Sequence, residues 1–172
     1  MKLPFNLFTW IEENRDKLRP PVGNQQLYIE NSDFIVMIVG GPNNRKDFHY
    51  NEGEEFFFQL QGDITLRIQE DGQLKNIPIK EGEIYLLPPR VPHSPQRGPN
   101  TVGLVIERYR RGEEKDGVMW FCENCEHKLY EEYFTLTDIV VQLPQVMQRF
   151  YNNEALRTCD QCSTIMQPPQ PK

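Results

Sequence analysis

No apolar run in the 172 residues approaches the roughly 20 residues that a membrane-spanning helix requires. The opening MKLPFNLFTWIEENRDKL also lacks the unbroken apolar stretch of a secretory signal, so a cytoplasmic protein without a membrane partner is expected. A basic surplus is missing too. With 19 Lys and Arg against 25 Asp and Glu, the net charge is -6, and there is no cation excess to displace counterions from a phosphate backbone. Nucleic acid is therefore excluded as a general partner. Histidine is scarce, at three residues, and cysteine occurs four times. No internal repeat is present apart from a doubled CxxC.

What is present supports one sizeable core: 38% of residues are hydrophobic and 11% aromatic. The segment NLFTWIEENRDKL sets Phe8, Ile11, Arg15 and Leu18 at helical spacing, and PPVG stops it. Short strand-like runs then follow. QLYIE, FIVMIV, EFFFQLQ, ITLRIQ, LKNIPI, EIYLLP and TVGLVIERY are separated by turn-formers such as GGPNN, GD, EDG and KEG. Many short strands at close spacing predict an all-β sandwich or barrel. Past Arg111 the pattern loosens. GEEKDG reads as a connector, WFCENCEHKLYEEYF and LTDIVVQL as strands, PQVMQRFYNN as a short helix with Pro144 in its first turn, and MQPPQPK as a frayed tail. The expected division is a barrel with its N-terminal helix over 1–111 and a C-terminal extension over 112–172.

His49 is followed after five residues by Glu55 and after six more by Gly62. Gly82, Pro88 and His93 follow a second pattern, G-x5-P-x-G-x-x-H, with Arg90 where the glycine usually stands. The pair resembles the two cupin motifs, which implies a jelly-roll β-barrel with a few short helices. Two imidazoles and one carboxylate on neighbouring strands form the facial triad that suits Fe(II) and leaves positions open. Among Glu52, Glu54 and Glu55, the spacing to Gly62 selects Glu55, and Glu54 becomes a solvent-facing charge. Arg45 lies four residues before His49, and Arg97 four after His93, so alternation sets each arginine on the side of its histidine. Two guanidiniums beside a metal fit a substrate carboxylate, which they grip in a two-point fork. Glu107 shares a strand face with Gly103 and Val105 and is a candidate proton acceptor.

Cys122 and Cys125 form one CxxC, and Cys159 and Cys162 the other. Four thiolates make a closed tetrahedral site for zinc or a single iron, with no position left for substrate, so its role is structural. His127 is then a bystander.

The stretches PPVGNQQLYIENSDFIVMIVGGPNNRKDFH, EEFFFQLQGD, KEGEIYLLPPRVPHSPQR and LVIER, taken in order, resemble the 3-hydroxyanthranilate 3,4-dioxygenase family over nearly the whole chain. The double CxxC resembles the form of that family with a second metal site. The resemblance implies a homodimeric Fe(II) extradiol-type dioxygenase that inserts dioxygen into the ring of 3-hydroxyanthranilate. The product would be 2-amino-3-carboxymuconate semialdehyde, precursor of quinolinate and NAD. Position by position, it implies His49, Glu55 and His93 as iron ligands, Arg45 and Arg97 as carboxylate anchors, and Glu107 as the acid-base group at the substrate hydroxyl and amine. The rival from another class is a non-catalytic cupin sensor of a small aromatic acid. A thiol dioxygenase is disfavoured by Glu55, Arg45 and Arg97 together.

Overall fold

The computed structural model describes residues 3–20, 23–29, 32–137 and 139–170. Strands alternate short apolar runs with turns, and they assemble as two antiparallel sheets. One contains, side by side, β1 (Asn24–Gln26), β2 (Phe34–Gly40), β9 (Val102–Arg108), β4 (Glu55–Gln61) and β7 (Ile84–Leu87). The other contains β11 (Lys128–Phe134), β10 (Asp116–Phe121), β3 (Phe48–Tyr50), β8 (His93–Arg97), β5 (Ile64–Glu70) and β6 (Gln73–Ile79). The expected jelly-roll barrel is present, and β10 and β11, which lie past Arg111, extend one of its sheets.

Side-chain alternation builds the core. Phe57, Val105 and Leu87 from the five-stranded sheet meet Ile64, Leu66, Ile68 and Ile79 from the other in one buried cluster. In β4 the same period turns Glu55 and Gln59 inward with Phe57, opposite Glu107 and Gly103 of β9. Those polar residues are thereby aimed into the barrel.

On the outer face, α1 (Leu7–Glu13) lays Ile11 against Ile38 and Val102, and Leu18 joins them. The helix is shorter than expected. Asn14 ends it by donating its backbone N–H to the Ile11 carbonyl at 3.2 Å and its side-chain amide to the Trp10 carbonyl at 2.8 Å. A short 3-10 turn carries the chain to Leu18, while Phe8 stays exposed. That turn sits so close to β2 that a Cβ on Gly40 would lie 2.1 Å from the Leu18 carbonyl oxygen. Pro21 and Val22 of PPVG lie outside the described residues.

Two local expectations are corrected. LTDIVVQL is not a strand over its described residues, and Asp138 lies outside them. α2 (Ile139–Tyr151) begins within it, and Pro144 is the sixth residue of that helix rather than in its first turn. Leu143, Val146, Met147 and Phe150 recur at helical spacing and pack on Val118 and Trp120 of β10, so tertiary burial overrides the β preference of the Ile-Val-Val run. Phe150 stacks on Trp120 with ring centroids 4.2 Å apart, and the Trp120 indole donates to the Tyr151 hydroxyl at 3.0 Å. The tail is not frayed through residue 170. Met166 is buried in the same cluster, and the Gln170 carbonyl accepts from the Asn44 amide at 2.8 Å.

The doubled CxxC folds as two copies of one knuckle. In each, the first cysteine carbonyl accepts from the N–H four residues on, and its own N–H donates to the carbonyl five residues on. The fourth residue after that cysteine, Glu126 in one and Ser163 in the other, takes a left-handed φ of 62° or 61° to close the turn.

Candidate active site

β3 and β8 are antiparallel neighbours in which His49 stands opposite His93, so the register brings their ring centroids within 5.3 Å. Glu55 faces them from the first residue of β4 in the other sheet. One donor atom from each of the three lies within 4.8 Å of the others. His93 Nε2 is 3.0 Å from Glu55 Oε2, while His93 Nδ1 donates to the Val91 carbonyl at 2.9 Å. With Nδ1 committed to that carbonyl, Nε2 is the nitrogen turned toward the Glu55 carboxylate, so both present donor atoms to the same point. His49 is oriented by its own carboxylate, with Nε2 2.7 Å from Asp116 Oδ2. Histidines anchored through one nitrogen by a carbonyl or carboxylate are the usual form of metal-binding imidazoles. The donor set therefore fits a divalent transition metal such as iron.

The three open into a cavity of about 160 Å³, close to the roughly 150 Å³ that holds one benzene ring. Met37, Val39, Phe57 and Val105 give it apolar walls, and Arg45, Arg97 and Glu107 give it charge. From past Arg111, Asp116, Val118, Phe134 and Leu143 also line it.

The two arginines differ. Arg45 is paired with the buried carboxylate of Asp47. Burial alone would lower the Arg45 pKa, and Asp47 more than offsets this. Arg97, only 4% exposed, makes no ion pair within 4.0 Å among the described residues. Burial, opposed by Glu55 and reinforced by Arg45, brings its pKa down to about 10. It remains a cation at neutral pH. An incoming carboxylate thus gives the buried Arg97 an ion-pair partner, whereas at Arg45 it must share with Asp47. Arg97→Ala is accordingly expected to raise the KM for a carboxylated ligand more than Arg45→Ala does, the former by about 10- to 100-fold, the worth of one charged hydrogen bond. Steady-state kinetics of both variants checks the order.

Glu107 faces Glu55 across the β4–β9 register. Asn51 bridges them, donating to Glu107 at 3.1 Å and to Glu55 at 3.5 Å. Arg110 donates to Glu107 at 2.7 Å and grips Asp116 with two bonds of 2.6 and 2.5 Å. Burial, with the nearby Glu55 charge, pushes the Glu107 pKa up against the pull of Arg110 and His49. Glu55 moves the other way. Burial would raise it, but His93, His49 and Arg45 bring it to about 2, so it is held ionised.

The structure brings together His49, Glu55, His93, Arg45, Arg97 and Glu107 in this cavity. Glu54 is exposed, as expected. Glu52 accepts from Arg90 at 3.3 Å and from the Lys115 N–H at 3.2 Å, away from the cavity. Arg90 keeps the left-handed backbone of the glycine it replaces, with φ of 65°. Sequence reasoning missed Asp116, Arg110, Asn51 and Gln59. Asp116 looked like one charge in the connector GEEKDG, and only the β3–β10 pairing brings it to His49.

The four cysteines gather elsewhere. Cys122 and Cys162 Sγ atoms are 3.5 Å apart, as are those of Cys125 and Cys159, and all four lie within 4.8 Å. A disulfide would need about 2.05 Å. The spacing instead approaches the edge of a tetrahedron with metal–sulfur bonds of about 2.3 Å. His127 is outside this set, paired with Asp160 at 2.9 Å. Cys159→Ser is expected to release any metal that the four thiolates hold and to lower the melting temperature, because the cluster ties the tail to the end of β10, while activity at low temperature survives. Metal analysis and a thermal scan on one sample test it; activity falling in step with this metal would contradict the structural role.

Residues 1–151 match the sequence model of a family described as 3-hydroxyanthranilic acid dioxygenase. A 3-hydroxyanthranilate 3,4-dioxygenase of Xanthomonas oryzae pv. oryzae is 54% identical over 167 residues, covering 97% of this chain and 94% of that one. One from Bacillus cereus is 43% identical over 163 residues, covering 94% and 90%. Among solved structures, a cupin-2 domain containing protein from Shewanella frigidimarina aligns with 51% of this chain and 79% of its own, at TM-score 0.41 and 20% identity.

Proposed function

The chain belongs to the 3-hydroxyanthranilic acid dioxygenase family, and from that premise we propose how its residues serve ring opening of 3-hydroxyanthranilate by dioxygen. The observation that carries the reading is the His49–Glu55–His93 donor set beside Arg97, which lacks a direct ion-pair partner among the described residues, in a cavity of one-ring size.

We assign His49, Glu55 and His93 as the residues that hold ferrous iron. When bound, that ion would supply the redox chemistry that lets dioxygen react with the aromatic ring. Arg97 and Arg45 receive the substrate carboxylate and fix the rotation of the ring. The apolar walls at Met37, Val39, Phe57 and Val105 contact its faces and exclude water. Glu107 accepts the hydroxyl proton at a carboxylate oxygen, and its raised pKa makes it a stronger base than an ordinary glutamate. Arg110 holds that carboxylate in place and carries the charge of Asp116 as well. The ring-opened product, 2-amino-3-carboxymuconate semialdehyde, can close to quinolinate without the enzyme. The test is oxygen uptake and ring opening by protein loaded with Fe(II) under anaerobic conditions, then mixed with substrate and air.

The second metal, iron or zinc, is proposed for the four cysteines in a structural role, within a C-terminal extension over 112–172 that also walls the cavity. A reducing, cytoplasmic setting fits four thiolates kept for a metal. Among the described residues no helix is long and apolar enough to cross a membrane. A homodimer fits the outer face of the five-stranded sheet, where Ile84 is 65% and Leu86 53% exposed beside Phe56 and Phe58. Leu86→Arg is expected to convert the dimer to monomer in light scattering coupled to gel filtration; a wild-type monomer would contradict this.

A further inference from the structure

Building on the assignment of Arg97 as a carboxylate anchor, we propose that Gly103 and Gln59 are positioning residues that seat the Arg97 guanidinium and thereby set the preference for a carboxylated ring over an uncarboxylated one. Gln59 in β4 and Gly103 in β9 stand opposite each other on the inward face of the five-stranded sheet. A Cβ on Gly103 would lie 2.9 Å from Arg97 NH1, 3.3 Å from NH2 and 2.9 Å from Gln59 Oε1. Glycine there leaves a floor on which the guanidinium lies directly against the strand backbone, and a Cβ would force the guanidinium, the Gln59 amide or both to shift.

Gln59 holds the other edge. It is 1% exposed, and its Oε1 accepts from Arg97 NH1 at 3.3 Å. Its Nε2 donates to the Gln61 carbonyl at 2.9 Å, which fixes the amide with oxygen toward the arginine. A neutral amide aims the guanidinium without cancelling its charge. A carboxylate at the same place would become the counter-ion itself and compete with the ligand. Glutamine at 59 and glycine at 103 thus keep Arg97 rigid and unneutralised, the condition under which a buried cation discriminates most strongly for an anion.

The test uses the intact, metal-loaded protein and two ligands that differ only in the carboxylate, 3-hydroxyanthranilate and 2-aminophenol. Their binding is measured anaerobically by calorimetry, and KM and kcat for 3-hydroxyanthranilate are measured in air. Gly103→Ala and Gln59→Glu are each expected to weaken 3-hydroxyanthranilate about 10- to 100-fold in both Kd and KM, with kcat changed far less and 2-aminophenol affinity unaltered. Thermal scans establish that each variant is folded, and the two act by different means, one steric and one electrostatic. Equal weakening of both ligands, or an unchanged ratio, overturns the proposal. Wild-type protein that fails to prefer the carboxylated ligand overturns the assignment of Arg97 instead. Wild-type protein without oxygen uptake counts against the dioxygenase reading alone, since the binding arm does not depend on turnover.

Discussion

His93→Ala protein is expected to carry one metal per chain, against the two proposed for the wild type, and to open the ring at background rate. His93 is 2% exposed, and its Nε2 lies 3.0 Å from Glu55, so no surface residue can take its place. Loss of a partner that merely orients a metal-bound histidine lowers affinity or activity by about 10- to 100-fold, and removal of a donor itself exceeds that. The metal that remains should be the one on the four cysteines, whose sulfurs belong to a separate cluster. Elemental analysis paired with a ring-opening assay reads both quantities. An active His93→Ala protein with undiminished metal would remove His93 from the site.

Glu107→Gln is expected to lower kcat by about 10²- to 10⁴-fold, the range for loss of a general base, with metal content unchanged. Arg110 keeps its two bonds to Asp116 in this variant, so the fold should persist. The pH profile supplies the sharper evidence. As the proposed proton acceptor Glu107 works in its ionised form, so activity is expected above its pKa and is lost as pH falls through it. Burial and the Glu55 charge raise that pKa, which moves the acid limb to higher pH than an ordinary glutamate would give. The limb should vanish in Glu107→Gln. A variant that loses activity but keeps the limb would assign the proton transfer to another group.

Much of the candidate site's grouping is legible because strand parity and motif spacing bring those residues to one cavity. His49, Glu55 and His93 follow from the two motifs, and Glu107 from its alternation with Val105 and Gly103. Both arginines follow from a four-residue offset, which preserves side on an extended chain. The parts that escaped depend on pairings between distant segments. Asp116 reaches His49 because β10 lies beside β3, and Arg110 reaches both Glu107 and Asp116 from an irregular stretch that no period describes. Gln59 was hidden in an apolar strand, where an amide looks like an outward residue until the register is known. The difference between Arg45 and Arg97 was also invisible, because it rests on Asp47 pairing with one and not the other. Helix α2 was misread at its start because Ile-Val-Val favours a strand locally, whereas packing against Trp120 decides the matter.

The most direct test of the central claim is the stoichiometry of oxygen consumed per 3-hydroxyanthranilate added to Fe(II)-loaded protein, followed in parallel with ring opening. One dioxygen taken up for each ring opened, abolished when His49 is replaced by alanine, is the predicted result. Tight binding of 3-hydroxyanthranilate with no oxygen uptake would contradict it and mark the chain as a sensor rather than an enzyme.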